Sequence, residues 1–139
     1  ERWSMEGGDT WLIPASVGAH RVMPEGEHAK ILRGEIPNNT VYEDDEVLAF
    51  HDIVPQAPVH VLVIPKGEYV SLDDFTRDAP VETVGRFFRK VGEIARQLGV
   101  DGDGYRAIAN IGQNGGQEVP HFHMHICGAR PLGRLIARE

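Results

Sequence analysis

The chain contains a single cysteine, Cys127, among 139 residues, so an internal disulfide and a four-cysteine zinc site are both excluded. A lone cysteine is typical of proteins in a reducing compartment, and a cytoplasmic location is expected. Positive charge is also scarce, because 14 Lys and Arg stand against 21 Asp and Glu, and the formal net charge of −7 argues against a nucleic-acid polymer as a partner. The sequence has no run of 18 apolar residues, so neither a membrane span nor a membrane partner is expected.

The first 27 residues differ from the rest of the chain. Gly, Pro, Trp and His are scattered there without a helical or strand period, and we assign residues 1–27 to a leader or flexible arm. One domain is predicted over residues 28–139, which is long enough to bury roughly 68% of the surface that its unfolded form exposes. A short helix is expected over residues 30–33, ending at Gly34.

Alternating and β-branched runs predict five β-strands, at residues 41–44, 47–51, 60–64, 105–111 and 121–127. The first three are expected to be antiparallel neighbours. A long helix is predicted over residues 80–98. Its core face is expected to contain the apolar residues that recur three and four positions apart, Val81, Val84, Phe88, Val91, Ala95 and Leu98.

Three of the seven histidines alternate with apolar residues in the last predicted strand, as His121, His123 and His125. Successive side chains of a strand point to opposite faces, so the three imidazoles are predicted to share one face while Phe122 and Met124 enter the core. A single histidine on a strand is usually structural. Three at two-residue spacing, beside a glycine-rich loop, indicate a functional site.

Metal binding is the first interpretation of such a histidine set. The Cα atoms of His121 and His125 are about 13 Å apart along an extended strand, whereas zinc needs ring nitrogens about 2.0 Å from the ion. Three convergent ligands are therefore not expected from this strand, and no resident metal or cofactor is predicted. Adventitious binding by His121 and His123, with ligands from elsewhere, stays open.

A phosphate site suits the same residues better. The loop of residues 112–117 contains Gly115 and Gly116, which allow main-chain N–H groups to approach an anion, although Asn114-Gly115 alone would equally suit a hairpin turn. A neutral imidazole is a good nucleophile toward phosphorus when a neighbouring group supplies a proton to the leaving group. Two imidazolium charges about 6 Å apart repel by roughly 2.8 kcal/mol at an effective dielectric constant of 20, so neighbouring histidines should rarely be charged together.

The segment from Gly116 to His125 resembles the signature of the histidine triad (HIT) family, in which three histidines alternate with apolar residues. Residues 50–53, 55–60 and 63–66 resemble earlier segments of the nucleotide-binding Hint branch, and residues 130–133 resemble the tail of its bacterial members. The resemblance extends from about residue 29 to the last residue.

The resemblance implies an α+β fold with a five-stranded antiparallel sheet and two helices, paired as a homodimer. It also implies hydrolysis of the P–N bond of purine nucleoside 5′-phosphoramidates of the AMP type through a nucleotidyl-histidine intermediate. The ligand would be a purine nucleotide or nucleoside phosphoramidate, and no cofactor is implied.

Residue roles follow by position in the family motif. His123 would be the nucleophile, His125 would contact the phosphate and assist proton transfer, and His121 and His60 would pair behind the nucleophile. Asp52 would accept the ribose hydroxyls, although it would also suit a turn ahead of Pro55. The phosphate side is assigned to Asn110, Gly116, Gln117, Glu118 and Val119. The base would be enclosed by Ile31, Ile36, Phe50, His51 and Ile53, of which the apolar members would equally suit a core.

Three functions stay open at this point. The first is the phosphoramidase. The second is cleavage of dinucleoside polyphosphates, or nucleotidyl transfer, by an enzyme of the same superfamily. The third is a nucleotide-binding scaffold whose hydrolysis is incidental.

Overall fold

The computed structural model describes residues 30–31 and 36–137. Lys30 and Ile31 are helical, whereas the predicted leader and the rest of the predicted helix at residues 30–33 lie outside the described residues. The further elements are, in chain order, β1 (Thr40–Glu43), β2 (Val47–His51), β3 (Val59–Pro65), α1 (Leu72–Asp78), α2 (Val81–Gln97), β4 (Tyr105–Ile108) and β5 (Met124–Gly128). The predicted α+β class, with a five-stranded antiparallel sheet, is confirmed.

The sheet has the strand order β1-β2-β3-β5-β4, so β5, which contains His125, is paired on both sides. The first hairpin is closed by Asp44, whose carboxylate accepts the N–H groups of Glu46 and Val47 at 2.7 and 2.8 Å. Such carboxylate contacts to the following main chain are typical of tight turns.

Strand pairing separates the sheet into two faces, because directly opposed residues lie on the same face. On one face Ala49, Val63 and Met124 form a row across three strands, and this face is packed against the helices in the larger core. On the opposite face Phe50, Leu62 and His125 form the corresponding row. A smaller apolar cluster covers part of that face, formed by Ile31, Leu48, Phe50, Leu62 and Ile64 with Ile36 beside it.

Helix α1 has no counterpart in the sequence prediction. It begins with a capping box, in which the Ser71 hydroxyl accepts the Asp73 N–H at 3.1 Å and the Asp74 carboxylate accepts the Ser71 N–H at 2.7 Å. Phe75 is its buried residue, and its ring lies against Phe122 at a centroid distance of 4.9 Å. The helix therefore places one aromatic ring directly beneath the histidine segment.

Helix α2 forms nearly where the sequence predicts it, and its predicted core face is confirmed except at two positions. Val91 and Ala95 are buried, and Val84 and Leu98 pack against the core. Val81 is 82% exposed and Phe88 is 39% exposed. The residues buried on this helix are Phe87, Val91, Ile94 and Ala95. Phe87 takes the core position predicted for Phe88 because its ring packs against both Phe75 and Phe122. No helix in the described ranges is long and apolar enough to cross a membrane.

The last two strands are shorter than predicted. β4 ends at Ile108 and β5 begins at Met124, so His121 and His123 precede the strand instead of lying within it. The reason is a different set of main-chain partners: the Phe122 N–H donates to the Tyr69 carbonyl at 2.8 Å, and the His121 N–H donates to the Val119 carbonyl at 2.8 Å. The segment before β5 is thus bonded to loops.

Candidate active site

Two histidines from neighbouring strands, of which His60 is buried and His125 half-buried, form the centre of the site. His60 on β3 and His125 on β5 are joined by a hydrogen bond of 2.9 Å between His60 Nε2 and His125 Nδ1. The Gln56 main-chain N–H donates to His60 Nδ1 at 3.0 Å, so this nitrogen holds no proton. In neutral His60 the proton is then on Nε2 and is donated to His125 Nδ1. His125 consequently has its own proton on Nε2, which is left to face a ligand.

His123 has the opposite tautomer from His125, with its proton on Nδ1. Its Nδ1 lies 2.7 Å from the main-chain carbonyl oxygen of His121, and only a protonated Nδ1 can donate to this acceptor. A neutral His123 therefore has a lone pair on Nε2. Its ring lies edge-on to His125, with centroids 4.9 Å apart. The site thus places a nucleophilic nitrogen beside an N–H donor.

The predicted pairing of His121 with His60 is wrong. His121 Nε2 lies 2.9 Å from the Gly67 carbonyl oxygen and donates to it, while the ring partner of His60 is His125. The difference follows from the start of β5, because His121 precedes that strand and lies over the loop that follows β3. His121 contributes its main-chain carbonyl to His123 instead.

Asp52 has two contacts in the loop that follows β2. One carboxylate oxygen accepts the Val54 N–H at 2.8 Å, which is the turn interaction that the sequence also allows. The other oxygen lies 3.5 Å from His60 Nε2, and the side chain stays 21% exposed. Asp52 therefore adjoins the histidine pair and is open to a ligand, while its ribose contact stays a prediction.

The glycine-rich loop before the histidines has little freedom in its shape. A Cβ atom at Gly115 would overlap the main-chain carbonyl oxygen of Ile111, and Gly116 has a φ of +75°. The Gly116 N–H donates to Gln113 and the Gln117 N–H to Gly112, each at 3.0 Å. These two amides are thus used within the loop.

The side chain of Gln117 braces the same loop. Its oxygen accepts the Gly112 N–H at 3.0 Å, and its nitrogen donates to the carbonyls of Val70 and Val119 at 2.5 and 3.1 Å. The main-chain N–H groups of Glu118 and Val119 donate to no residue within the described ranges. These two amides, which come shortly before the histidines, can donate to an anion.

The residues assigned to the base are brought together only in part. Ile31, Ile36 and Phe50 share the smaller apolar cluster, and Phe50 lies in the same cross-strand row as His125. Ile53 is 80% exposed and stands apart from that cluster at the rim. His51 and Asn110 are half-buried, and the His51 N–H donates to the Asn39 carbonyl at 3.0 Å.

Burial keeps the histidines of this site neutral. It lowers the pKa of His123 to about 4, and the neighbouring His121 and His60 act in the same direction. Burial also lowers the pKa of His125 well below its usual value, aided by His123 and His60. The pKa of His60 and of His121 is lowered by burial too, against the opposing effect of Asp52 on His60. At neutral pH the site therefore holds uncharged rings.

These pKa shifts predict that the fold loses stability on mild acidification. The unfolded chain protonates His123 near pH 6.5, whereas the folded chain does so only near pH 4, so the stabilisation is complete above pH 6.5 and falls through this window. From His123 alone the loss at pH 5 is about 2 kcal/mol, and His60, His121 and His125 add to it in the same direction. Urea unfolding at pH 7 and pH 5 measures it.

The matched control for this prediction is His123→Asn, whose side-chain amide can still donate to the His121 carbonyl. In this variant, unfolding between pH 7 and pH 5 should take up about one proton fewer than in the unmodified protein, so its stability should depend less on pH. Equal unfolding free energies of the unmodified protein at pH 7 and pH 5 would contradict the neutral state of the four rings.

Asp52, His60 and His125 have ligand atoms within 4.8 Å of one another, a spacing that a metal ion could bridge. The proton positions oppose such an ion. An ion bound to His60 Nε2 and His125 Nδ1 would displace the proton that lies between these two nitrogens. This proton could not move to His60 Nδ1, because that nitrogen accepts the Gln56 N–H. We therefore assign no metal to this group.

Three features of the site had no signal in the sequence. The Gln56 amide and the carbonyls of His121 and Gly67 are main-chain groups, and every residue type except proline supplies both. Arg130 had a signal only as part of the tail that resembles bacterial family members, and its guanidinium donates to the Gln56 carbonyl at 2.8 Å.

The five-stranded sheet and its histidine run define a protein of the HIT class. The family model described as HIT domain matches residues 33–132, and the chain belongs to this family. Among curated proteins, the purine nucleoside phosphoramidase of Escherichia coli K12 is 46% identical over 111 residues, which cover 80% of this chain and 92% of that protein. An uncharacterised HIT-like protein of Azospirillum brasilense is 50% identical over 115 residues, or 83% and 94% of the two chains.

Solved structures of histidine triad proteins are also similar to this chain. A histidine triad protein from Clostridium difficile has a TM-score of 0.70 at 46% identity, covering 77% of this chain and 92% of that one. A HIT family hydrolase from Clostridium thermocellum has a TM-score of 0.75 at 34% identity, covering 84% and 100%. The chain is thus similar both to a phosphoramidase and to a family hydrolase.

Proposed function

We propose that the protein hydrolyses purine nucleoside 5′-phosphoramidates of the AMP type, with His123 as the nucleophile. The observation that carries the proposal is the 2.7 Å hydrogen bond from His123 Nδ1–H to the His121 carbonyl, which leaves the Nε2 lone pair beside the Nε2–H of His125. The similarity to the E. coli purine nucleoside phosphoramidase supports the substrate class.

In the first step His123 Nε2 attacks phosphorus, so that a nitrogen–phosphorus bond forms to His123 while the P–N bond to the substrate amine breaks. The departing nitrogen takes the Nε2 proton of His125. His123 keeps its Nδ1 proton and becomes a cationic nucleotidyl-imidazolium, which offsets the negative charge left on the His60–His125 pair. Donor and nucleophile lie on adjacent rings, with centroids 4.9 Å apart.

In the second step water attacks the same phosphorus and the bond to His123 breaks. His125 Nε2 takes one proton from this water, so the proton that was lent to the amine is replaced. The products are the free amine and AMP, and His123 returns to its neutral form. The same nitrogen thus serves as acid and then as base, as a two-step transfer requires.

The remaining groups would bind the nucleotide around this centre. Asp52 is 21% exposed on its side chain and would accept the ribose hydroxyls. The N–H groups of Glu118 and Val119 would hold phosphate oxygens, and the cluster containing Phe50 would contact the base. A homodimer is proposed as well, since β4 is an edge strand on which Tyr105 and Ala107 are exposed.

The decisive experiment compares adenosine 5′-phosphoramidate with a diadenosine polyphosphate as substrates of the same preparation. We expect faster release of AMP from the phosphoramidate, and an acid-quenched sample should show a covalent adenylate on the peptide containing His123 by mass spectrometry. Faster cleavage of the dinucleotide would instead favour the polyphosphate hydrolase. Nucleotide binding without turnover of either substrate would favour the scaffold.

A further inference from the structure

Arg130 is tied to the loop between β2 and β3. It follows β5, and its guanidinium donates to the Gln56 carbonyl at 2.8 Å and to the Pro131 carbonyl at 2.9 Å. Ala129, directly before it, has a φ of +71°, a left-handed conformation that is unfavourable for a residue with a Cβ atom. Such strain persists only where surrounding contacts determine it, which indicates that the chain is held in this turn toward the loop.

Gln56 transmits this contact to the histidine pair. Its carbonyl is held by Arg130, and its own N–H donates to His60 Nδ1 at 3.0 Å. His60 Nε2 then donates to His125 Nδ1 at 2.9 Å. A continuous chain of three hydrogen bonds therefore runs from the exposed guanidinium to His125.

The donor-to-acceptor direction of these hydrogen bonds decides which ring nitrogen of His125 bears the proton. With the Gln56 N–H on His60 Nδ1, the proton of His125 is on Nε2. If Gln56 moves away, His60 can hold its proton on Nδ1 and accept from His125 Nδ1–H. His125 Nε2 is then a bare acceptor, which cannot supply the proton that a departing amine needs.

We propose that Arg130 is a positioning residue: through Gln56 it holds the His60–His125 pair in the tautomer in which His125 points an N–H at the leaving group. The proposal rests on the proposed function, in which that N–H protonates the amine. Arg130 itself is expected to touch neither the phosphate nor the nucleoside.

Other charged and titratable groups also adjoin the pair, and they limit what a change at Arg130 can do. His60 is faced by Asp52 from the end of β2, by His125 and Cys127 from β5, and by His123 from the segment before β5. Asp52 favours a protonated His60, whereas the Gln56 N–H opposes a proton on Nδ1. Loss of Arg130 therefore removes the restraint that opposes Asp52.

The test uses two substrates that differ in their need for an acid. Adenosine 5′-phosphoramidate loses an amine that must be protonated, whereas adenosine 5′-(4-nitrophenyl) phosphate loses a stable anion. Arg130→Ala should lower kcat for the phosphoramidate by roughly 10-fold or more and for the nitrophenyl ester by less than about 3-fold. Arg130→Lys, which keeps the charge but lacks the two-pronged donor, should fall between.

The control is Arg134→Ala, which removes the same charge from the same tail. Arg134 is exposed, and its main-chain carbonyl, which the variant retains, is held by Arg106 at 3.2 Å. Both substrates should be turned over at unchanged rates by this variant. An equal loss for both substrates in Arg130→Ala, or a rise in KM alone, would show a direct substrate contact and overturn the positioning role.

A second measurement does not depend on turnover. Ring ¹⁵N chemical shifts should show His60 protonated on Nε2 in the unmodified protein and a substantial Nδ1-protonated population in Arg130→Ala. The same tautomer in both proteins would overturn the inference. If the unmodified protein turns over neither substrate, the proposed function fails, whereas the ring shifts still decide whether Arg130 sets the tautomer.

Discussion

His123→Ala should lower kcat/KM for adenosine 5′-phosphoramidate by roughly 10⁴-fold or more, because it removes the atom that bonds to phosphorus. The remaining rate would come from groups that bind and polarise the substrate. His123 is 8% exposed and belongs to no apolar cluster, so the variant should stay folded and should still bind AMP. Steady-state kinetics and calorimetric titration with AMP measure the two effects separately.

A chemical control distinguishes loss of the nucleophile from a general disturbance. His123→Gly leaves a space of imidazole size, and free imidazole added to this variant should restore part of the turnover. The ring would re-enter between the His121 carbonyl and His125. Turnover by His123→Ala within 10-fold of the unmodified enzyme would refute the assignment of the nucleophile, whatever the outcome of the rescue.

Phe75→Ala should destabilise the fold by about 3–5 kcal/mol. The Phe75 ring is fully buried, with centroids of Phe87 and Phe122 at 5.2 and 4.9 Å and that of Tyr69 at 5.0 Å. Its removal leaves a cavity and ends several edge-on and stacked ring contacts. Urea unfolding at constant pH measures the difference in free energy.

Phe88→Ala is the matched control, since this ring belongs to the same aromatic group but is 39% exposed and lies 6.5 Å from Phe75. A loss of about 1 kcal/mol is expected there. Because Phe122 stands between His121 and His123, Phe75→Ala should also lower turnover at temperatures where it is still folded. Equal losses of stability in the two variants would show that Phe75 is not the centre of the core.

The parts of the fold that depend on local pattern could be predicted from the sequence. β2, β3 and α2 form within one residue of their predicted limits, because β-branched runs and a long apolar stripe specify them. Helix α1 could not be recognised from a helical repeat of apolar residues, because Phe75 is its buried residue and a single residue forms no repeat. The Ser71–Asp74 capping box was the available signal.

The active site, too, could be predicted from the sequence only in part. The spacing of His121, His123 and His125 identified the segment, whereas the pairing of His121 with His60 was implied only by the resemblance to the family motif. The structure turns His121 toward the Gly67 carbonyl because the chain there is bonded to a loop. Tautomers are set by such main-chain partners, and residue types alone do not reveal them.

Cys127 lies on β5, opposite His60 of β3 on one side and Arg106 of β4 on the other. It is the only thiol of the chain, it is 8% exposed, and burial raises its pKa, so a thiol reagent can modify it only when the groups that cover it move away. This thiol therefore reports local opening of the protein. The labelling rate of its one sulfur gives the frequency at which the structure beside His60 opens, with no engineered label.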